Sequence, residues 1–387
     1  LISGAKVGVA PLEDFAYAIA GLVLLPSLWS LAPDVVVLDY ELGGIHATDI
    51  IAQLRLPFRV ADHELLLGAS LGISLFPEHG RELAILVNHA DLAMQQANRL
   101  GGNQWRTYSP DLRSATIEQL NLENSLRKAI FRDEFLVHYQ PKVSLQNKRI
   151  VGMEALVRWQ HPTLGLLYPG DFIPLAEDTG LISVITERVL QQACEQVNAW
   201  SRAGLGELTV AVNIPPQQLH KGDLMLTLNN ALAESGLPAE QLEIELTETS
   251  LMDDPDMAAR ILGDVRQRGI SIALDDFGTG YSSLSQLRKF PLNTLKIDQS
   301  FVREVGQSAE DGAIVRAIIT MAHELGMTVT AEGVETPCHL EFLVRERCDY
   351  VQGYYISRPI PAEQMEVLLQ QQADQDDVAL PPVISVG

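Results

Sequence analysis

The feature of this chain that most constrains its fold is a series of short apolar segments, rich in β-branched residues, that begins near residue 136. Helical stretches such as 185–200 and 312–327 lie between most of these segments. The segments predicted as strands are 149–159, 208–214, 241–248, 271–276, 294–298, 328–334 and 350–356. Strands that alternate with helices indicate a parallel sheet that is buried on both faces.

The number of these strand–helix units predicts the architecture. Seven or eight units between residues 136 and 372 favour a closed α/β barrel of the TIM type, (β/α)8, over an open sheet. A doubly wound sheet is the alternative, but no glycine-rich phosphate-binding loop follows a first strand. Residues 1 to about 110 also alternate short strands and helices, so we expect a smaller α/β region ahead of the barrel.

Polar side chains stand at or near the carboxyl end of nearly every predicted strand of the barrel. They are Glu154, Asn213, Glu245, Asp275 with Asp276, Lys296, Glu332 and Gln352. In a (β/α)8 barrel these strand ends meet at one rim, where active sites are built. Burying so many carboxylates without compensation is costly, so we expect divalent metal ions at this rim.

The ligand atoms at the rim indicate the class of metal. The acids and Asn213 offer only oxygen ligands, with no His or Cys among them, which favours Mg²⁺ or Mn²⁺ and disfavours zinc. Neighbours in a regular strand point to opposite faces, but Asp275 and Asp276 can both turn toward the rim where the strand breaks into Phe-Gly-Thr-Gly. Such a pair suits a two-metal site for attack of water on a phosphodiester.

Lys296 lies in an otherwise apolar strand, 294–298. An ammonium group there is costly unless it faces the acidic residues, where it could orient or polarise the attacking water. An ion pair that only holds the rim together is the alternative role.

Composition excludes several classes of protein. The net charge of −22 argues against a protein that binds the backbone of a nucleic acid polymer, because such proteins carry basic surfaces. Three cysteines lie far apart, so we expect no disulfide framework or structural zinc site, and a reducing cytoplasm fits best. The longest apolar run, 15–25, is too short to span a bilayer and is predicted to be a core segment. The chain begins with Leu1 rather than Met, so we expect upstream sequence, and a membrane anchor there stays open.

Seven motifs in the second region resemble an EAL domain. In order they are Met-Glu-Ala-Leu-Val-Arg-Trp at 153–159, Val-Asn-Ile at 212–214, Glu-Leu-Thr-Glu-Thr at 245–249, the segment 274–284, Leu-Lys-Ile-Asp at 295–298, Ala-Glu-Gly-Val-Glu-Thr at 331–336, and the segment 352–361. The resemblance covers about 118–370. It implies a TIM-type barrel with an antiparallel first strand, and hydrolysis of cyclic di-GMP to linear 5′-pGpG with two Mg²⁺ or Mn²⁺ ions.

The resemblance also implies roles for individual residues. Six positions match metal ligands: Glu154, Asn213, Glu245, Asp275, Asp276 and Glu332. Five match catalytic residues, among them Lys296 as the residue that positions the water: Lys296, Glu154, Asp275, Glu332 and Gln352. Three match substrate contacts: Gln140, Arg158 and Asp298. No position of the metal set is substituted, which favours an active enzyme over a degenerate receptor.

The segment 277–284 resembles a regulatory loop that couples the metal site to a dimer interface, so the resemblance implies a homodimer through the EAL-like domain. The residues assigned to this element are Glu248, Phe277, Gly278, Thr279, Gly280 and Tyr281. Its glycines permit a sharp turn, and a mobile loop could gate the adjacent acids. A tight strand-to-helix turn is the simpler interpretation and is compatible with the first.

The region before the barrel carries weaker resemblances. Residues 33–55 resemble the phosphoacceptor strand and following helix of a response-regulator receiver, with Asp39 either as a phosphorylation site or as a strand-end cap. Residues 57–112 resemble the C-terminal half of a GGDEF domain. The only upstream Gly-Gly is followed by Ile45 and His46 instead of acids, so no diguanylate cyclase activity is expected.

These resemblances divide the chain into five parts: a partial receiver-like segment (1–56), a degenerate GGDEF-like half (57–112), a connecting helix (113–135), the EAL-like barrel (136–372) and a C-terminal tail (373–387). The helix could transmit a signal or simply lead into the barrel. The leading hypothesis is a cyclic di-GMP phosphodiesterase. The alternative is a catalytically silent receptor that binds cyclic di-GMP and signals to a protein partner.

Overall fold

The computed structural model describes short strands at residues 17–20, 35–38, 58–60 and 63–65, and residues 70–374 apart from 101, 221–222, 253, 279–286 and 306–308. The chain divides into two units, 1–122 and 123–387. Within the described residues, no helix is both long enough and apolar enough to span a membrane.

The first unit contains a four-stranded sheet, a separate pair of strands and a long helix. These elements are Tyr17–Ala20 (β1), Val35–Leu38 (β2), Phe58–Val60 (β3), His63–Leu65 (β4), Leu71–Leu75 (β5), Leu83–Arg99 (α1) and Trp105–Thr107 (β6). The sheet order is β2-β1-β5-β6, in which β1 is antiparallel to both neighbours and β5 is parallel to β6. A Cβ atom on Gly72 of β5 would lie 1.8 Å from the Ala90 carbonyl oxygen of α1, so the strand and helix approach closely only because this residue is glycine.

Two predictions fall partly or wholly outside the described residues of this unit. β1 lies within the segment 15–25 that was predicted to be core, and the rest of that segment is outside the described part of the chain. Asp39 follows β2 directly, and it too lies outside the described residues. Its role as a phosphorylation site therefore stays a prediction.

A helix from Pro110 to Ala129 (α2) contains the boundary between the two units. The predicted connecting helix, 113–135, extends beyond the end of α2. Asp133 adopts a left-handed φ of +52°, which does not continue a helix, and the Glu134 N–H donates to the Ala129 carbonyl oxygen over 3.4 Å. The chain is thereby redirected before the next strand begins at Phe135.

The second unit is built around a closed barrel. Its strands are Phe135–Ser144 (β7), Ile150–His161 (β8), Gly165–Leu167 (β9), Thr209–Asn213 (β10), Leu242–Thr247 (β11), Ser271–Phe277 (β12), Thr294–Ile297 (β13), Thr328–Ala331 (β14), Tyr350–Val351 (β15) and Ile360–Pro361 (β16). Eight of them close in the order β7-β15-β14-β13-β12-β11-β10-β8, with β7 antiparallel to both of its neighbours and the others parallel. This confirms the TIM-type barrel with an antiparallel first strand.

β7 is missing from the seven strands predicted from sequence pattern. Pro141 and Lys142 interrupt the apolar pattern in the middle of this strand. Its burial nevertheless follows from the closure of the barrel, because β7 pairs with β8 along most of its length. The antiparallel first strand was expected from the family resemblance alone.

Two predicted strands are shorter than expected at their carboxyl ends. β14 ends before residue 334, because Gly333 adopts a left-handed φ of +66°. β15 ends well before residue 356. A Cβ atom on Gly353 would lie 2.3 Å from the Val334 backbone nitrogen, so the chain after β15 packs directly against the segment that follows β14. Both ends therefore bend at the barrel mouth.

Helices pack around the barrel and fill the connections between its strands. They are Pro169–Asp178 (α3), Ile182–Arg202 (α4), Pro216–His220 (α5), Leu224–Ser235 (α6), Glu248–Met252 (α7), Pro255–Gln267 (α8), Gln299–Arg303 (α9), Ala309–Glu324 (α10), Pro337–Arg345 (α11) and Ala362–Asp374 (α12). Phe135, Trp159 and Phe172 form one buried aromatic cluster. The centre of the Phe135 ring lies 6.0 Å from the centres of the Trp159 and Phe172 rings, and the centres of the Trp159 and Phe172 rings are 5.7 Å apart. This cluster fixes β7, β8 and α3 together beside the mouth.

Candidate active site

Asp275 and Asp276 are adjacent in β12, but a bulge allows both to serve the same end of the barrel. The pairing register of β12 with β13 shifts between Leu274 and Phe277, and Asp276 adopts a left-handed φ of +54°. A bulge adds an unpaired residue and redirects a side chain. Carboxylate oxygens of Asp275, Asp276 and Glu332 consequently all lie within 4.8 Å of one another.

The ammonium group of Lys296 lies among four carboxylates at the barrel mouth. Its Nζ atom is 2.7 Å from Glu245, 2.8 Å from Glu332, 3.1 Å from Asp275 and 3.7 Å from Glu154. The Lys296 side chain is only 3% exposed. We call these five residues the mouth cluster. They come from five different strands or strand ends, so the closure of the barrel is what brings them together.

Two amides hold the carboxylate of Glu154. Asn213 Nδ2 donates to Glu154 Oε1 over 2.7 Å, and Gln352 Nε2 donates to Glu154 Oε2 over 2.6 Å. Gln352 also donates to Gln140 Oε1 over 3.0 Å, and Gln140 Nε2 donates to the Ser357 carbonyl oxygen over 3.1 Å. The orientation of Glu154 is therefore set by a chain of hydrogen bonds that includes three predicted site residues.

The pKa values of the acids separate into two groups. Burial raises the pKa of Glu332 to about 8, with Asp275 and Glu154 adding to the effect and Lys296 opposing it. Burial and the charge of Glu154 likewise raise the pKa of Glu245 well above its usual value. For Glu154, burial acts in the same direction, but the charge of Lys296 and the two amide hydrogen bonds outweigh it, so its pKa is lowered.

The mouth cluster carries more negative than positive charge, and the pKa of Lys296 reflects this excess. Burial acts to lower the pKa of Lys296, but the surrounding carboxylates outweigh it and raise that pKa well above its usual value. Lys296 is therefore fully charged at neutral pH. One ammonium group cannot neutralise four carboxylates, so the cluster must also bind protons or cations.

The donor atoms fit a hard divalent cation. Asp275, Asp276 and Glu332 form the one group of three or more acids, His or Cys among the described residues whose ligand atoms converge closely enough to hold a metal. Burial and the charges of Asp275 and Asp298 raise the pKa of Asp276. The surroundings of Asp276 therefore also carry more negative than positive charge. Oxygen ligands of this kind are preferred by Mg²⁺ and Mn²⁺.

A cavity of about 330 Å³ opens onto the mouth cluster and is lined in part by Gln140, Arg158 and Tyr168. The Arg158 guanidinium lies 5.2 Å from the centre of the Tyr168 ring, and its NH1 atom donates to the Val157 carbonyl oxygen over 2.7 Å. Arg158 is 4% exposed, and its buried Nε atom has no hydrogen-bond partner among the described residues. A buried guanidinium with an unused donor at a cavity wall suits an anionic or base-edge ligand.

Comparisons with known proteins identify the family of this site. The family described as EAL domain matches residues 123–359, which is more than half of the chain. This chain belongs to the EAL domain family. The family described as diguanylate cyclase, GGDEF domain, matches residues 44–104. That match begins inside the segment predicted to be receiver-like, and the predicted domain boundaries stay predictions.

Relatives and a solved structure are consistent with this membership. MucR of Pseudomonas aeruginosa, described as a bifunctional diguanylate cyclase/cyclic di-GMP phosphodiesterase, is 40% identical over 319 residues, which are 82% of this chain and 47% of MucR. NbdA of the same organism, described as a cyclic di-GMP phosphodiesterase, is 40% identical over 349 residues, which are 90% of this chain and 44% of NbdA. The solved complex of the MucR phosphodiesterase with cyclic di-GMP has a TM-score of 0.62 and 43% identity, and it covers 63% of this chain and 99% of the solved chain. This chain spans less than half the length of either curated relative.

Other predicted residues of the EAL domain lie near the mouth in less direct positions. Asp298 is the N-cap of α9, where its carboxylate accepts from the Ser300 N–H over 3.0 Å, so a substrate contact for it stays a prediction. Glu248 is buried at the start of α7 and accepts from the Gly278 N–H over 3.5 Å, which joins it to the predicted regulatory loop. Phe277 ends β12, whereas Thr279, Gly280 and Tyr281 lie outside the described residues.

Several polar residues inside the EAL barrel were not predicted from the sequence. Lys142 of β7 and Glu243 of β11 form a buried ion pair of 2.6 Å, and Thr294 of β13 donates to Glu243 over 2.9 Å. Each of the three is two residues from a predicted site residue, and alternate residues of a strand face the same side. That spacing was a usable signal. Tyr168 was also missed, because its contact with Arg158 depends on the pairing of β8 with β9.

Proposed function

We propose that this chain hydrolyses one phosphodiester bond of cyclic di-GMP to give linear 5′-pGpG, using two divalent cations at the barrel mouth. The observation that carries the proposal is the mouth cluster, in which four carboxylates surround the single ammonium group of Lys296. Membership of the EAL family and the described activities of MucR and NbdA support it. The solved MucR complex supports the choice of substrate.

Six residues would hold the cations, and all of them offer oxygen: Glu154, Asn213, Glu245, Asp275, Asp276 and Glu332. Bound there, Mg²⁺ or Mn²⁺ would supply the positive charge that polarises the phosphodiester and activates water. The excess of carboxylate over ammonium at the mouth is the reason that such ions would bind. The raised pKa of Glu332 is the sign of that excess in the ion-free chain.

The residues of this chain then have separate tasks. Lys296 would orient the attacking water and keep a positive charge close to the phosphodiester. Gln352 and Asn213 hold the Glu154 carboxylate by hydrogen bonds of 2.6 and 2.7 Å, which fixes its direction at the mouth. Arg158 would contact a phosphate or a guanine edge from the cavity wall.

Regulation through a dimer is part of the same proposal. Glu248 accepts from the Gly278 N–H immediately after the bulge that carries Asp275 and Asp276. A homodimer through the EAL domain that moved the loop after Phe277 would therefore act on the metal-binding acids through one short connection. Asp39 and the residues before the barrel would receive the upstream signal.

The test is incubation of the full chain with cyclic di-GMP and Mg²⁺, with the products separated by chromatography. We expect 5′-pGpG in the presence of Mg²⁺ and none in excess EDTA. Glu154→Gln should abolish turnover, because the mouth loses one carboxylate, whereas Glu341→Gln on the exposed face of α11 should not.

The result that overturns the proposal is folded wild-type chain, with a native thermal transition, that produces no 5′-pGpG with Mg²⁺ or Mn²⁺. Tight binding of cyclic di-GMP without turnover would instead support the alternative function, a catalytically silent receptor for cyclic di-GMP. Formation of cyclic di-GMP from GTP is not expected, since Ile45 and His46 replace the acids that follow Gly-Gly in active cyclases.

A further inference from the structure

A set of buried polar side chains crosses the barrel interior near the mouth cluster. Lys142 Nζ of β7 donates to Glu243 Oε1 of β11 over 2.6 Å. The other carboxylate oxygen of Glu243 accepts from the Thr294 hydroxyl of β13 over 2.9 Å. The Lys142 ammonium also lies 5.6 Å from the centre of the Tyr350 ring on β15. We call Lys142, Glu243 and Thr294 the barrel brace.

Each residue of the barrel brace is separated by one residue from a side chain of the candidate site. Lys142 follows Gln140 on β7, Glu243 precedes Glu245 on β11, and Thr294 precedes Lys296 on β13. Residues two apart in a strand face the same side, so each pair points into the barrel. A contact between two brace residues therefore also constrains the two site residues on the same strands.

The strands that the brace connects are not neighbours. β12 lies between β11 and β13, and its register with β13 shifts between Leu274 and Phe277, where Asp275 and Asp276 occur. The backbone ladder is thus irregular at the level of the predicted metal ligands. The hydrogen bond from Thr294 to Glu243 joins β11 to β13 directly and does not depend on that ladder.

The brace is balanced in charge and buried. Lys142 and Glu243 are 8% and 6% exposed, and Thr294 is 4% exposed. A buried ion pair can often be replaced by apolar residues without loss of stability, so stability alone does not explain this one. None of the three residues lines the cavity at the mouth within the described part of the chain. They could act on the chemistry only through their neighbours.

We propose that Lys142, Glu243 and Thr294 are positioning residues that fix Glu245 relative to Lys296 and thereby set the affinity of the mouth for divalent cations. The effect on cation affinity rests on the proposed function, whereas the placement of Glu245 relative to Lys296 does not. Partners that hydrogen-bond a metal ligand directly typically change metal affinity by about 10- to 100-fold when they are removed, and the brace acts on Glu245 through the strand, so we expect an effect near the lower end of that range.

A pair of matched variants tests the hydroxyl contact. Thr294→Val removes a hydroxyl that binds Glu243, whereas Thr330→Val removes one that has no hydrogen-bond partner among the described residues. Thr330 is 1% exposed and is paired in register with Lys296, so the two changes are alike in size and burial. We expect Thr294→Val to weaken Mn²⁺ binding about 10-fold, measured by electron paramagnetic resonance of free Mn²⁺, and Thr330→Val to leave it unchanged. Equal affinities for the two variants would overturn the proposal.

The double variant Lys142→Met/Glu243→Leu separates positioning from stability. It removes both charges together, so it should unfold at about the wild-type temperature, yet bind Mn²⁺ at least about 10-fold more weakly. Its crystal structure should show Lys296 Nζ displaced from the Glu245 carboxylate, a contact of 2.7 Å in the wild-type chain. Wild-type affinity together with an unchanged contact overturns the proposal. If the wild-type chain binds no Mn²⁺, the proposed function fails. The distance from Lys296 Nζ to the Glu245 carboxylate in the double variant then still tests whether the brace positions these two residues.

Discussion

Two lysines are buried in the same barrel, and they differ in the charge that surrounds them. Lys142 faces one carboxylate, Glu243, at 2.6 Å. Lys296 has four carboxylates within 4 Å. Both side chains are less than a tenth exposed, so burial does not distinguish them.

The difference in charge balance indicates two kinds of role. A balanced pair satisfies its own charges and can serve to hold strands in place. A cluster with excess carboxylate is costly to the folded chain, and such perturbed groups concentrate where a protein binds ions or performs chemistry. In this barrel the unbalanced cluster is the one that opens onto the cavity.

The largest expected effect comes from removing the ammonium of the unbalanced cluster. If Lys296 orients the attacking water as proposed, Lys296→Met should lower kcat for cyclic di-GMP by about 10²- to 10⁴-fold. The matched control is Lys289→Met, since the Lys289 side chain is 56% exposed. Initial rates at saturating Mg²⁺ measure the effect. A Lys296→Met chain with a normal kcat would show that Lys296 is only a structural ion pair.

Removing the ammonium of the balanced pair should act on stability. Lys142→Met leaves Glu243 as an unpaired buried charge and should lower the free energy of unfolding by about 3–5 kcal/mol. Urea unfolding in EDTA, followed by tryptophan fluorescence, measures it. Adding Glu243→Leu to the same chain should recover most of the loss, and Lys128→Met on the exposed face of α2 should cause none. If Lys142→Met is as stable as Lys142→Met/Glu243→Leu, the unpaired Glu243 charge is not what destabilises the single variant.

The unbalanced cluster should also make the stability of the ion-free chain depend on pH. The folded chain keeps a proton on Glu332 up to about pH 8, whereas the unfolded chain loses it near the ordinary pKa of 4.5. The folded state therefore binds more protons in this window, so the free energy of unfolding falls as the pH rises from about 4.5 to about 8. Urea unfolding in EDTA across this range measures the slope.

Two controls sharpen the pH prediction. Glu332→Gln should flatten part of the slope, because its amide does not titrate. Saturating Mg²⁺ should do the same, since a bound cation displaces the proton. An identical slope in the wild-type chain and in Glu332→Gln would show that Glu332 is not the group that titrates.

The smallest expected effect concerns the cavity wall. Tyr168→Leu removes the ring that stacks on Arg158 at 5.2 Å, a contact worth about 0.5–1 kcal/mol, and should raise KM for cyclic di-GMP a few-fold with little change in kcat. Tyr168→Phe keeps the ring face and should retain the wild-type KM. If Phe and Leu behave alike, the stacking does not position Arg158.

The repeated strand pattern was sufficient to predict the barrel, because parallel strands buried on both faces read as apolar, β-branched segments. It was not sufficient for β7, whose Pro141 and Lys142 break the pattern although tertiary pairing keeps the strand. The ends of β14 and β15 also differ from prediction, since Gly333 and Gly353 permit turns and close packing that composition alone does not specify.

The candidate site was predictable in its residue types and only partly in its geometry. The oxygen donors at strand ends, together with barrel closure, were enough to place Glu154, Glu245 and Asp275 around Lys296. The bulge at Asp276 was not predictable, because its left-handed φ depends on the register of β12 with β13. The positions of the barrel brace residues were predictable from their spacing to the site residues, but their contacts required the structure, since they join strands that are not neighbours in the sheet.

The most direct measurement of the central claim is the number of divalent cations that the mouth holds. Mn²⁺ titration followed by electron paramagnetic resonance, at neutral pH on the full chain, should give two ions per chain, and Asp275→Asn should lose at least one of them. A wild-type chain that binds no Mn²⁺, while keeping its native thermal transition, would contradict the account.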